Sequence, residues 1–255
     1  MTIKRLAVLA LTLSVVVLPR AGQAGTTYTA YSGTTALGSA DVTLSGNTIT
    51  VVLADLVVNP RSVGSNMSTL EITLSGPVTI TAESHSAFTD RTVNSNKTFS
   101  DAAKTTSDAT GWVLQTPNSS TTVSTIQFGV LDDGAFGKDP VTGLKHGGPD
   151  GSLIGSPDPL HPTLYSAANG SIAGNGPHNP FIAGSFTETF TVSSLAGISI
   201  NGVFLQFGDD TFTPTVPTAD HQDVTLISDP EPGSMIIWGG LGLAGVCLVR
   251  RRKSA

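Results

Sequence analysis

The residues that could do chemistry are 5 His, 1 Cys and 19 Asp or Glu in a chain of 255. His146, His161, His178 and His221 stand 15, 17 and 43 residues apart, and none forms the short-spaced pair by which one element presents two ligands to zinc. They read as solvated loop histidines. A nucleophile elbow requires Gly-x-Ser-x-Gly, whereas Gly151-Ser152-Leu153-Ile154-Gly155 sets its serine one place early. Asp132, Asp133 and Asp139, with Asp150 and Asp158 beyond them, put hard oxygen ligands in Gly-rich backbone, the donor set that Ca²⁺ selects. The regular Asp-x-Asp-x-Asp-Gly loop is missing, and aspartates serve equally as turn residues through side-chain bonds to their own backbone. Asp209-Asp210 carries the same two readings. A glycosidase pair would draw on acids such as Asp132, Asp133 or Asp209, and no aromatic-rich cleft accompanies them. The expectation is a protein that is not an enzyme and needs no cofactor, with calcium at Asp132, Asp133 and Asp139 as the secondary reading.

The two ends are more explicit. Lys4 and Arg5 precede an uncharged apolar run from Leu6 to Leu18, and Gly22-Gln23-Ala24 follows. That is the layout of a secretory signal, with cleavage between Ala24 and Gly25. As a helix the 13-residue run spans about 20 Å, short of the roughly 30 Å hydrocarbon core. At the other end Pro230, Glu231 and Pro232 precede an apolar run, Met235 to Val249, and the cations Arg250, Arg251, Arg252 and Lys253. Such a cluster stays on the cytoplasmic side and stops transfer. The run contains Gly239, Gly240, Gly242 and Gly245, each lowering helix propensity by about 1 kcal/mol relative to Ala. A segment presented to a protease and discarded tolerates this better than a permanent anchor. Cys247 lies within the run, where it packs or carries a palmitoyl group, and leaves with the tail if the tail is cut.

This tripartite end, Pro230-Glu231-Pro232, a short Gly/Leu-rich helix and a terminal Arg cluster, resembles the PEP-CTERM sorting signal of Gram-negative exported proteins. The resemblance covers residues 230–255. It implies recognition by an exosortase, a membrane-embedded cysteine transpeptidase, cleavage near the motif, and delivery to the cell surface, outer envelope or extracellular matrix. Before processing, the C-terminal helix would hold the chain transiently in the inner membrane. An uncleaved single-pass anchor is the other reading of the same segment. The stretch Asn169 to Phe181 is similar to a recurring ectodomain type among such proteins, with no activity to transfer.

Between the ends, residues 25–229 read as one all-β domain. Ile49, Val51 and Leu53 alternate with Thr48, Thr50 and Val52, and Leu70, Ile72 and Leu74 alternate with Glu71 and Thr73. Val78, Ile80 and Ala82 continue the pattern, as do Ile126, Phe128 and Val130, Phe190 and Val192, and Val203, Leu205 and Phe207. Period two puts one face of each strand in a core and the other in water. Ser45-Gly46-Asn47, Asn59-Pro60 and Ser75-Gly76-Pro77 mark turns. Short strands at this spacing predict an antiparallel β-sandwich of jelly-roll-like form. Residues 132–185 depart from the alternation with 11 Gly, 7 Pro and 3 His. They predict a long loop, disordered or functional, whose scattered apolar residues could tuck beneath it. Trp112 reads as a core or strand-edge residue. Asn-x-Ser/Thr triplets begin at Asn66, Asn96, Asn118 and Asn169, either by chance in a Thr-rich chain or as surface glycosylation sites.

The net charge of −6 conceals a segregation. The stretches 1–24 and 230–255 each carry +3, leaving −12 on residues 25–229. An acidic, cysteine-free domain is a poor nucleic-acid binder. The function expected is that of an exported surface or matrix protein, structural in role, handled by signal peptidase and exosortase and meeting exopolysaccharide. The alternatives are a glycan-binding module, with or without calcium, and a polysaccharide hydrolase.

Overall fold

The computed structural model describes residues 25–119, 124–130, 141, 150–208 and 227–229. Ala24 and the rest of 1–24, the sorting signal 230–255, and Asp132, Asp133, Asp139, Asp209, His146, His221 and Cys247 lie outside the described residues. Among the described residues there are strands and a single 3₁₀ turn, Val63–Ser65, and no helix long and apolar enough to cross a membrane.

The strands are β1 (Thr26–Ser32), β2 (Thr35–Ser45), β3 (Thr48–Asp55), β4 (Met67–Leu74), β5 (Ile80–His85), β6 (Phe88–Val93) and β7 (Phe99–Lys104). They continue with β8 (Val113–Ser119), β9 (Ser124–Gly129), β10 (Leu153–Ile154), β11 (Phe181–Ala183), β12 (Ser185–Val192), β13 (Ile200–Phe207) and β14 (Ile227–Asp229). A six-stranded sheet runs β14-β1-β2-β3-β12-β5, and an eight-stranded sheet runs β7-β6-β11-β10-β4-β9-β8 with β13 on β4. Every pairing is antiparallel except β10 with β11. The chain passes from the first sheet to the second after β3, β5 and β12, and back after β4, β11 and β13.

Alternation sets the faces as expected. In β3, Ile49, Val51 and Leu53 are buried while Thr48, Thr50, Val52 and Ala54 are not. In β4, Leu70, Ile72 and Leu74 turn inward. The two inner faces share one core, consistent with a β-sandwich. Phe128 of β9 lies parallel to Phe186 of β12, with planes 9° apart, and meets Phe190 edge-on at 5.3 Å between centroids. Trp112, 4% exposed, packs at 5.9 Å from Phe186 and donates its indole N–H to the carbonyl of Gly151 at 2.8 Å. The polar tip of the largest core side chain is thereby satisfied.

Ala82 differs from the sequence reading. It is exposed, unlike Val78 and Ile80, because the pairing of β5 with β12 shifts register between Thr191 and Val192. A shift of one residue exchanges the faces of a strand. Beyond it Glu83 pairs with the inward Phe190, and His85 pairs with Glu188.

Residues 150–185 carry the short strands β10 and β11 and a second apolar cluster. Ile154, Tyr165, Ala168, Ile172 and Phe181 gather with Val63 and Val93. β6 serves both cores, with Phe88 entering the first and Val93 the second. Turn residues hold the stretch onto the connection between β3 and β4: Asn59 N donates to Ser156 O at 2.7 Å, and Asn169 N to Arg61 O at 2.7 Å.

Candidate functional site

The outer face of the six-stranded sheet is built almost wholly of small β-branched and hydroxyl side chains. Its rows follow from the registers. Thr43, Thr50, Thr189 and Ser84 form one row across β2, β3, β12 and β5, and Ser45, Thr48, Thr191 and Ala82 form the next. Thr27, Asp41, Val52 and Thr187 form a third. None of these residues is buried. Neighbouring rows on antiparallel strands are about 6.8 Å apart and neighbouring strands about 4.8 Å, so the threonines present a regular grid of hydroxyls and methyls. Thr48 donates its hydroxyl to the carbonyl of Ser45 at 2.8 Å. The other sheet shows the more ordinary surface, with long polar side chains: Gln127 donates to Glu71 at 2.8 Å across β9 and β4. The grid can hydrogen-bond a hydroxyl-rich ligand over several strands, and it offers no nucleophile–base pair.

The remaining polar clusters hold the domain together. Of the acids that sequence singled out, Asp150 and Asp158 lie among the described residues, and Asp158 is the more engaged. Its Oδ1 accepts the N–H of Leu160 at 2.9 Å, and its Oδ2 accepts the hydroxyl of Ser166 and faces Nδ1 of His161 at 3.1 Å. The Ser166 bond, then His161 and the Leu160 N–H, pull its pKa down to about 2. Serine, histidine and aspartate thus meet, but the carboxylate stands between the other two. A hydrolytic triad needs the imidazole between serine and acid, so this trio closes a turn.

Arg91 forms a second cluster. It is bidentate on Asp101 at 2.7 and 2.6 Å, lies 4.0 Å over the Phe99 ring, and donates to the Tyr165 hydroxyl at 2.9 Å. Tyr165 passes the network on to Gly155 O at 2.8 Å. Tyr165, with no exposed surface, is a core residue. A third cluster lies near β5 to β7. Asp90 is raised by burial against the opposing pull of Lys104, whose Nζ is 3.3 Å away. Glu188, 2% exposed, is on the core face opposite His85.

Among the described residues no three His, Cys, Asp or Glu side chains come close enough to hold a metal. Two of the four Asn-x-Ser/Thr triplets have a turn geometry in common. Asn96 accepts both the N–H and the hydroxyl of Thr98, at 3.2 and 2.6 Å. Asn169 does the same with Ser171 at 2.9 and 2.7 Å. The spacing is that of an Asx turn, whereas Asn66 has no exposed surface at all.

Sequence reasoning passed over Asp55, Gln206 and Glu188, three polar residues at core positions, and named the buried Asn66 only as the start of an Asn-x-Ser/Thr triplet. For Glu188 the signal was present: it shares the parity of Phe186, Phe190 and Val192 in β12. Gly25, the residue after the expected cleavage, is described and leads directly into β1. β1 begins beside the end of β14, with Thr27 paired to Asp229. No family model matches this chain, nor does any curated protein or solved structure.

Proposed function

We propose that the chain is an exported surface or matrix protein with a structural role, cut at Ala24–Gly25 and sorted through residues 230–255 by an exosortase. The observation that carries this reading is the antiparallel pairing of β1 with β14. The chain enters β1 from residues 1–24 and leaves β14 at Pro230, so both apolar segments depart from one corner of the six-stranded sheet. A domain held at a membrane by both ends during export, and by neither after processing, is suited by that arrangement. The repeated passages of the chain between sheets favour the jelly-roll-like form of sandwich. The engagement of Asp158, Arg91 and Tyr165 in loop-holding bonds supports a structural role over catalysis.

Replacing Pro230, Glu231 and Pro232 by alanine tests this. Fractionated cells should retain the variant in the inner membrane, while the unaltered protein reaches the surface. Equal surface delivery of the two would refute exosortase sorting.

The threonine grid favours one second reading, contact with exopolysaccharide. Thr50→Lys together with Thr189→Lys, which plants two long cations in the grid, should then abolish retention on the polysaccharide of the producing cells. Retention equal to that of the unaltered protein would remove this reading and leave the sorting claim standing.

A further inference from the structure

Gly25 sits close against Asp41. Asp41 stands in β2 on the outer face, between Thr27 of β1 and Val52 of β3. It is the one charged residue in the threonine rows. Its Oδ1 is shielded from solvent and has no hydrogen-bond partner among the described residues, an unfavourable state for a charged acceptor. Gly25 lies directly upon it. A Cβ at residue 25 would fall 2.2 Å from Asp41 Oδ1 and 2.6 Å from Thr43 Oγ1, so only glycine brings the backbone this near the carboxylate.

Gly25 is also the residue that the signal sequence places first after cleavage. Hydrolysis of the Ala24–Gly25 amide by signal peptidase adds one water, leaving a carboxylate on Ala24 and a primary amine on Gly25. That amine has an ordinary pKa of about 7.7–8.0 and is mostly protonated at neutral pH. An amide nitrogen with a single hydrogen becomes an ammonium with three donors and a positive charge.

We infer that the newly formed α-ammonium of Gly25 is the partner of Asp41, so that signal cleavage completes an ion pair which locks β1 into the sheet. The inference rests on the export reading and extends it: processing changes the stability of the domain as well as its address. β1 is the strand on which β14 pairs, so the lock at Gly25 also steadies the strand that leads to the sorting motif.

The experiment compares two forms of the chain, one beginning at Gly25 with a free amine and one retaining Gln23-Ala24, each with and without Asp41→Asn. The free-amine form should melt about 2–4 °C higher, as expected for roughly 1 kcal/mol in a domain of this size. The difference should vanish in the Asp41→Asn pair, and high salt should shrink it. Acetylating the Gly25 amine should lower the melting temperature to that of the extended form. Equal melting temperatures for the free and extended forms, or a difference that survives Asp41→Asn, would overturn the ion pair. The defined termini make this outcome independent of cellular processing. Exported protein that begins at a residue other than Gly25 would overturn the processing half and leave the sorting of the tail untouched.

Discussion

Asp55 accepts the backbone N–H of Met67 at 3.1 Å, so a carboxylate at the end of β3 in one sheet holds the first residue of β4 in the other. Its second oxygen accepts the N–H of Val57 at 2.9 Å. One side chain thus ties the end of β3 to the start of β4, and burial pushes its pKa well above the ordinary carboxylate range despite both N–H bonds.

Asp55→Ala leaves two N–H groups without their acceptor. Each lost partner should cost about 1–3 kcal/mol, read as a lower urea midpoint with unchanged slope. Because burial raises the folded pKa, the stability tied to protonated Asp55 is full below about pH 3.9 and is lost as pH rises through the folded value. Asp55→Asn should flatten that part of the pH profile. An unaltered profile in this variant would assign the pH dependence elsewhere.

Asp158 has the opposite sign. Its pKa is held near 2, chiefly by the Ser166 hydroxyl, so its contribution is present above about pH 3.9 and fades as pH falls toward that lower value. Amide protection at Leu160 and Leu164, measured against the intrinsic exchange rate at each pH, should fall over this acid range, and Asp158→Asn should show the lower protection at neutral pH. Protection that persists in the variant would show that the turn stands without the carboxylate.

Gly155 and Gly170 make a matched pair. A Cβ on Gly155 would lie 1.8 Å from the carbonyl oxygen of Val57, whereas one on Gly170 meets nothing within 4 Å. Gly155→Ala should cost about 1–3 kcal/mol through forced backbone movement, and Gly170→Ala should stay within about 0.5 kcal/mol of the parent. Equal midpoints in denaturant would contradict the close approach.

The Tyr165 hydroxyl joins Arg91 to Gly155 at 2.9 and 2.8 Å. Tyr165→Phe keeps the ring on Phe99 and deletes both bonds, at about 1–3 kcal/mol for the buried carbonyl left unpaired. Limited proteolysis between Ser156 and Pro180 should quicken in the variant. A cleavage rate matching the parent would mean that the second apolar cluster alone holds this stretch.

The legible part of the fold was the part governed by period two. Ile49, Val51, Leu53, Leu70, Ile72 and Leu74 are buried as their alternation required, because a half-buried sheet forces that pattern. Ala82 was misplaced because a register shift leaves no mark in composition. Glu188 and Asp55 escaped because polarity argued for solvent, while strand parity put them inside. Within 150–185 the Gly and Pro content signalled turns correctly but hid two strands of two and three residues, too short for any periodicity. The threonine grid was half visible: each strand's outward Thr could be read from sequence, whereas their alignment across β2, β3 and β12 depends on register.

Export and sorting are read together in the intact mass of the surface-exposed protein from its native host. The mass should be that of a chain that begins at Gly25 and lacks Met235 to Ala255. A surface protein whose mass includes the whole C-terminal tail would contradict the sorting.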